Sequence, residues 1–148
     1  MLKKLTHQTI LIFIFSYLLN FLWESIHAVL FYTGHQTMDS SFFVRMISYV
    51  SFMDALIVLG IFISGSILWR ELEWVKKYDS RKIIYTAIIG FLIAAIIEAK
   101  ALFFKQWSYN ELMPTIFGMG LSPLVQLSVT GVVAIIITSI ISKNEKFK

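Results

Sequence analysis

Cysteine is missing from this chain of 148 residues, and charged residues make up only 15% of it. Without a thiol, the chain cannot form disulfides, hold an iron–sulfur cluster through cysteines or use thiol catalysis. Hydrophobic side chains account for 57% of the residues, and the mean hydropathy is +0.75. This composition is too apolar for an ordinary soluble domain, so the sequence predicts an integral membrane protein.

The sequence also lacks the short motifs of common enzyme and cofactor sites. It has no glycine-rich phosphate loop, no serine in a nucleophile elbow and no paired zinc motif. Glu24 and His27 have the i, i+3 spacing found in carboxylate-bridged metal bundles, but those bundles use two such motifs and this chain has one. We therefore predict no metal ion and no cofactor.

Four apolar stretches are each long enough to cross a bilayer as a helix. A helix rises 1.5 Å per residue, so about 20 residues cross a hydrocarbon core of about 30 Å. The stretches are about 8–32, 43–69, 83–104 and 113–142, and short connections join them. The sequence predicts an all-α polytopic membrane protein in which residues 1–148 form one transmembrane domain, a four-helix bundle.

Ten of the thirteen basic residues fall on one side of this predicted bundle. Arg45, Lys100 and Lys105 remain for the other side, so the positive-inside rule predicts that both termini are cytoplasmic and that the protein lies in the inner (cytoplasmic) membrane. Anionic headgroups explain the net charge of +4, and we predict no nucleic-acid partner. The ten residues are Lys3, Lys4, Arg70, Lys76, Lys77, Arg81, Lys82, Lys143, Lys146 and Lys148.

Three carboxylates interrupt successive apolar stretches: Glu24, Asp54 and Glu98. A charge at membrane depth costs at least ~2.5–3.5 kcal/mol, so such a residue faces a bundle interior or a wet cavity and marks a functional site by default. Counted from the outer helix ends, the three lie roughly 9–16 Å deep. We predict that they converge in one site, where repulsion keeps at least one protonated. A fully paired structural network is the alternative.

Other polar and small residues share a helix face with these acids. Asn20, Glu24 and His27 fall at i, i+4 and i+7; Asn20 is expected to make interhelical hydrogen bonds, and Glu24 and His27 to share a proton or a ligand. The other stripes are Ser48 and Ser51 with Asp54, and Ala87, Gly90, Ala94 and Ala101 with Glu98. The alanines and the glycine indicate close helix packing.

The start of the fourth stretch has two interpretations. Ser122 followed by Pro123 is typical of an N-cap and first helical position, which makes the helix 123–142 and leaves 111–121 as an outer half-helix or re-entrant turn. The alternative is one long helix kinked at Pro123. Either interpretation carries Gln126 inward to the level of the acids.

Two family resemblances follow from short motifs. Trp-Ser-Tyr at Trp107, Met-Pro, and Gly-x-Gly-Leu-Ser-Pro-Leu-x-Gln-Leu ending at Leu127, with Asn20-x-x-Trp23-Glu24, resemble a group of small four-helix bacterial membrane proteins of uncharacterised activity. The segment from Asn20 to Glu24, with Tyr32, also looks like part of the integral-membrane terpene cyclases. There the motif glutamate is proposed to protonate an epoxide or alkene, which implies that Glu24 is an acid. Those cyclases have more spans, and their second acid has no secure match here.

The sequence leaves the function open between classes. The first hypothesis is an enzyme or binding protein for a membrane lipid or isoprenoid-like molecule, with Glu24 as proton donor, Asp54, Glu98 and His27 assisting, and a binding pocket of Asn20, Trp23, Trp107, Tyr109 and Gln126. The second is a proton- or cation-coupled transporter or channel subunit, which would need a homo-oligomer because four short helices enclose little volume. An accessory subunit of a membrane complex is the third.

Overall fold

Four long helices form most of the computed structural model, which describes residues 2–33 and 37–144. They are α1 (Leu2–Phe31), α2 (Ser40–Leu68), α3 (Ser80–Phe103) and α4 (Leu121–Asn144). The chain is 80% helical, and each helix is long and apolar enough to cross a membrane. These observations confirm the prediction of four such helices in a mostly α-helical chain. The predicted basic tail residues Lys146 and Lys148 lie outside the described residues, as do the side chains of Lys3 and Lys4.

Aspartate side chains begin two of the helices. The Asp39 carboxylate accepts hydrogen bonds from the backbone N–H groups of Ser41 and Phe42 at 3.0 and 3.2 Å, and Asp79 caps the first turn of α3 in the same way. These bonds satisfy N–H groups that have no partner within a helix. Hydrogen bonds from the Ser41 hydroxyl and from both N–H groups hold the pKa of Asp39 below its ordinary value.

The predicted fourth stretch divides into a β-hairpin and a helix. Strands β1 (Thr115–Ile116) and β2 (Met119–Gly120) pair antiparallel, and the two residues between them, Phe117 and Gly118, have φ of +52° and +79°. Positive φ at both central residues defines a type I′ turn, a backbone that a right-handed helix cannot contain. A helical start at 113, and with it a single kinked helix, is therefore wrong, because α4 begins at Leu121.

The helices pack in an order that leaves one side of the bundle loosely closed. α1 contacts α2 and α4, and α4 contacts α3, whereas α2 and α3 contact each other far less. Near the loop that joins α2 to α3, the Ser64 hydroxyl lies 2.7 Å from the Tyr85 hydroxyl. The loop between α2 and α3 lies at the same end of the bundle as the start of α1 and the end of α4. We call this the inner end, and the opposite end the outer end.

Close approach of α3 and α4 depends on small residues in α3. A Cβ atom added to Gly90 would lie 2.9 Å from the carbonyl carbon and oxygen of Leu127, and the Ser128 hydroxyl donates to the Ala87 carbonyl at 2.7 Å. Ala94 and Ala101 are buried on the same face. The small-residue stripe therefore packs against α4, as the sequence indicates.

Buried aromatic side chains fill the inner end of the bundle. Trp74, in a short 3₁₀ turn (Trp74–Lys77), is fully buried, stacks on Phe62 at 5.8 Å and donates from Nε1 to the Phe62 carbonyl at 3.1 Å. Gly65 makes room for it, because a Cβ atom there would lie 2.8 Å from the Trp74 ring. The loop between α2 and α3 is therefore part of the core.

Lys82 corrects the prediction of a purely surface-exposed basic loop. It lies in the first turn of α3 and is only 6% exposed. Its Nζ donates to the carbonyl oxygens of Trp74 and Lys77 at 3.1 and 2.7 Å, and it lies 5.9 Å from the centre of the Trp69 ring. The lysine caps the 3₁₀ turn and does not face lipid headgroups.

We predict that Gly90→Ala destabilises the fold and that Gly60→Ala does not. A methyl group at Gly90 would meet the backbone of α4, so the helices must separate at a cost of about 1–3 kcal/mol. Nothing lies within 4 Å of a Cβ atom at Gly60, where alanine also favours the helix. Thermal unfolding in one detergent compares the two variants. Equal melting temperatures would contradict this account of the α3–α4 contact.

Candidate functional site

A cavity of about 400 Å³ occupies the outer half of the bundle. Glu24, Asp54 and Glu98 all line it, one from each of the first three helices, and Gln126 lines it from α4. The structure therefore brings the three predicted acids into one place. Much of the remaining wall is apolar and includes Met38, Met46, Ile47, Val50, Ile97 and Leu127.

The side-chain amide of Gln126 joins two of the carboxyl groups. Its Nε2 lies 2.8 Å from Glu24 Oε1 and 3.0 Å from Asp54 Oδ2, so its two hydrogens can serve one carboxyl group each. A third acceptor, Asn20 Oδ1, lies 3.1 Å from the same nitrogen and also receives the Thr130 hydroxyl at 3.1 Å. Glu24 and Asp54 thus share a neutral donor, which aligns them without compensating their charge.

Asn20 serves packing and not the cavity surface. Its Nδ2 donates to the Ser16 carbonyl at 2.9 Å, and its Oδ1 accepts from α4. It is fully buried and does not line the cavity. The expectation of interhelical hydrogen bonds describes this residue correctly, whereas direct contact between Asn20 and a bound molecule remains a prediction.

Glu98 is held by the outer loop. Its Oε1 accepts the Tyr109 hydroxyl at 2.5 Å and the Gly120 N–H at 3.0 Å, and Tyr109 in turn accepts from Trp107 Nε1 at 2.9 Å. Burial, followed by the hydrogen bond to Glu98, raises the pKa of Tyr109, so the phenol keeps its proton and donates it. Glu98 Oε2, also buried, has no hydrogen-bond partner among the described residues.

The hairpin and the end of α1 position Tyr109. A Cβ atom at Gly120 would lie 3.0 Å from the Tyr109 ring, so glycine allows the ring to lie against the strand. Asn110 then donates from its backbone N–H to the Phe31 carbonyl and from Nδ2 to the Leu30 carbonyl, each at 2.8 Å. These bonds satisfy carbonyl groups at the C-terminus of α1. The loop that holds Glu98 is therefore fixed to a second helix.

His27 does not form the expected proton-sharing pair with Glu24. It is 2% exposed, and neither ring nitrogen has a hydrogen-bond partner among the described residues. Its ring stacks on Tyr32 at 5.0 Å and on Tyr109 at 6.2 Å, and contacts the edge of Phe31 at 5.5 Å. His27 is thus part of an aromatic wall at the outer end of the cavity.

Two further expectations change in the structure. Trp23 is not among the residues that line the cavity; its Nε1 donates to the Ser122 hydroxyl at 3.2 Å, which joins α1 to the first turn of α4. Ser122 therefore lies within that turn and is not its N-cap.

Among the described residues, no lysine or arginine side chain compensates the acids. Neither lysine nor arginine lines the cavity, and the ion pairs among the described residues, Lys76 with Glu73 and Lys77 with Glu71, lie in the inner loop. Within residues 2–33 and 37–144, no three histidine, cysteine, aspartate or glutamate side chains are grouped closely enough to hold a metal ion. The cavity is therefore apolar, acidic and without an internal counter-charge.

A buried seam of mostly polar residues, not predicted from the sequence, extends from the acids towards the inner end. Its members recur every four residues on two helices and are all buried: Gln8, Ile12, Ser16, Asn20 and Glu24 in α1, and Gln126, Thr130, Ala134, Thr138 and Ser142 in α4. Among the described side chains, both amide atoms of Gln8 and the hydroxyl groups of Ser16 and Ser142 have no hydrogen-bond partner. The four-residue spacing of these side chains is the sequence feature that could have predicted the seam.

No protein-family model, no curated protein and no solved structure matches this chain. The resemblances seen in the sequence therefore rest on their short motifs alone. The chemistry of the cavity follows from its own residues.

We predict that Tyr109→Phe destabilises the protein by about 1–3 kcal/mol, because it removes a donor to buried Glu98 and an acceptor for Trp107. Tyr49→Phe is the matched control, since Tyr49 is 66% exposed and should tolerate loss of its hydroxyl. Thermal unfolding of both purified variants measures the effect. If Tyr109→Phe melts with the wild type, the outer loop does not depend on this hydrogen bond.

Proposed function

We propose that this chain is an integral membrane protein whose outer cavity binds an amphipathic lipid or isoprenoid-like molecule and transfers a proton to it. The supporting observation is that three carboxyl groups line one largely apolar cavity, and that none of the described lysine or arginine residues is on its walls. Apolar pockets with a few convergent polar groups are the usual form of a small-molecule site, and a volume of about 400 Å³ lies in their range.

The surface of the helix bundle is apolar. Large apolar side chains such as Leu22, Ile67 and Ile96 are 60, 73 and 69% exposed, which favours contact with lipid. The inner end carries the loop with Arg70, Lys77 and Arg81, so we place that end, and both termini, in the cytoplasm. A protein of this kind in a bacterium would lie in the inner membrane, with its cavity in the outer leaflet.

A membrane molecule would enter between α2 and α3. These helices contact each other less than their neighbours do, and both contribute to the cavity wall. Met46 and Val50 from α2 are partly exposed, and Ile97 from α3 is 37% exposed. An alkyl or isoprenoid chain would lie along these side chains, with its reactive end towards the acids.

Glu24 is the proton donor in this proposal. Its carboxyl group shares the Gln126 amide with Asp54, so the carboxylate left after proton transfer keeps a hydrogen bond from that amide. Asp54 is then placed to accept a proton back from the product. Glu98 is held rigidly by Tyr109 and Gly120 and would stabilise positive charge that develops on the bound molecule.

A second candidate function, a proton-coupled transporter acting as a homo-oligomer, is favoured by the buried seam between α1 and α4. Unpartnered polar atoms on Gln8, Ser16 and Ser142 provide sites where water could link the acids to the inner end. Ile12 and Ala134 interrupt the seam, which is why binding and proton transfer within the cavity is the first proposal.

The orientation is tested by thiol labelling, to which the chain contributes no cysteine background. We predict that Lys77→Cys, in the inner loop and 80% exposed, reacts with a membrane-impermeant maleimide only after cells are opened. Glu111→Cys, exposed in the outer loop, should react in intact cells. The reverse pattern would place the cavity in the cytoplasmic leaflet.

The role of Glu24 is tested by Glu24→Gln, which keeps the size of the side chain but removes its titrating proton. We predict that the wild type copurifies with an amphiphile, and that the variant folds but does not retain it, as measured by mass spectrometry of solvent extracts. Glu111→Gln, at an exposed glutamate outside the cavity, is the matched control.

A purely structural carboxyl group predicts the opposite result. Replacing a buried acid that binding does not need is often neutral or stabilising. A Glu24→Gln protein with a raised melting temperature and unchanged ligand retention would therefore remove Glu24 from the proposed chemistry. Thermal unfolding and extraction on the same preparation separate the two results.

A further inference from the structure

The charge balance of the cavity specifies the headgroup of its ligand. Glu24, Asp54 and Glu98 contribute three carboxyl groups, and none of the described lysine or arginine residues lines the walls. We infer that the cavity takes an amphiphile with a positively charged nitrogen headgroup, and that the headgroup displaces a proton from the acids when it binds. This inference rests on one part of the proposed function, namely that the cavity holds an amphiphile. It adds the charge of that molecule, and it concerns the binding step, in which the proton leaves to solvent, and not a later proton transfer to the molecule.

Buried polar atoms at the cavity point to a ligand independently of the acidic cluster. Glu98 is 1% exposed, and its Oε2 has no hydrogen-bond partner among the described residues. His27, 2% exposed, has neither ring nitrogen bonded within the same part of the chain. Both residues line the cavity. A buried polar atom without a hydrogen bond is unfavourable, so these atoms favour a molecule that offers charge or hydrogen bonds.

The aromatic residues are suited to the same headgroup. Tyr32 and Trp107 line the cavity, and their rings are in edge contact at 6.5 Å. Tyr32 is also stacked on Tyr109 at 5.4 Å, which fixes the orientation of the wall. A quaternary or protonated amine gains from a ring face within about 6 Å, most of all when water is excluded. The apolar walls select an amphiphile over a bare inorganic cation.

The proton balance follows from the groups that face the cavity. Among the described residues, these are Glu24 and His27 from α1, Asp54 from α2, Glu98 from α3 and Tyr32 from the outer loop. Tyr109 stacks on Tyr32 and is not itself in the lining. The lining residues of α4 are uncharged. Three carboxylates in one apolar cavity repel one another and are poorly solvated, so at least one of the three groups holds a proton before the ammonium binds. When a quaternary ammonium binds, the carboxyl O–H bond breaks, the carboxylate pairs with the ammonium and one proton leaves to solvent.

Isothermal titration tests this with three probes of one chain length, using the full chain in an uncharged maltoside detergent, whose headgroup contains no nitrogen, and subtracting the heat measured with protein-free micelles. Decyltrimethylammonium should bind more than tenfold tighter than decanol and decyl sulfate. Titration in two buffers of different ionisation enthalpy at one pH should show release of about one proton per ammonium bound. Glu98→Gln should weaken ammonium binding more than tenfold and leave decanol binding unchanged. Glu111→Gln should behave as the wild type.

Val50→Trp, which adds bulk to the cavity wall, separates this inference from the proposed function. If all three probes bind equally and Val50→Trp weakens all of them, the cavity holds amphiphiles but the inferred charge is wrong. If no probe shows saturable binding that Val50→Trp removes, the proposed function fails as well. Tight ammonium binding without proton release would overturn the exchange of a proton for the headgroup.

Discussion

The structure depends on placing carboxyl groups inside an apolar bundle without a basic partner. One hairpin makes this arrangement possible. Its strand β2 ends at Gly120, whose N–H binds Glu98, and α4 begins at the next residue and carries Gln126 to Glu24 and Asp54. All three acids therefore depend on the same six-residue segment between Thr115 and Gly120. A change in the hairpin would therefore disturb both hydrogen-bond groups together.

The parts of the fold and site that the sequence predicts are those set by local geometry. The rise of 1.5 Å per residue is enough to place Glu24, Asp54 and Glu98 at one level, because each helix must start and end at the membrane boundary. The same reasoning carries Gln126 to that level. Gly90 and its neighbouring alanines indicate a tight crossing because small residues in a membrane helix permit close approach. None of these inferences needs to know which helices are neighbours.

The parts that could not be predicted depend on contacts distant in sequence. Lys82 looks like any other basic loop residue until the Trp74–Lys77 turn folds inward and presents carbonyl groups to it. His27 has the spacing of a partner for Glu24, but a ring on the same helix turns towards whatever surface is available, and here Tyr32 and Tyr109 supply it. Phe117 is an unusual residue for positive φ, so the type I′ turn had no clear signal before Gly118.

The lack of a basic partner is a property of the fold and not of the composition. Lys100 and Lys105 lie within seven residues of Glu98 in the sequence, and either side chain is long enough to reach a neighbouring acid. Both are exposed instead. Lys105 follows the end of α3 with φ of +53°, which turns the chain away from the helix before the loop returns with Trp107 and Tyr109. Glu98 therefore accepts hydrogen bonds from a phenol and a backbone N–H, although two lysines are close to it in the sequence. Neutral donors orient the carboxyl group without forming an ion pair with it.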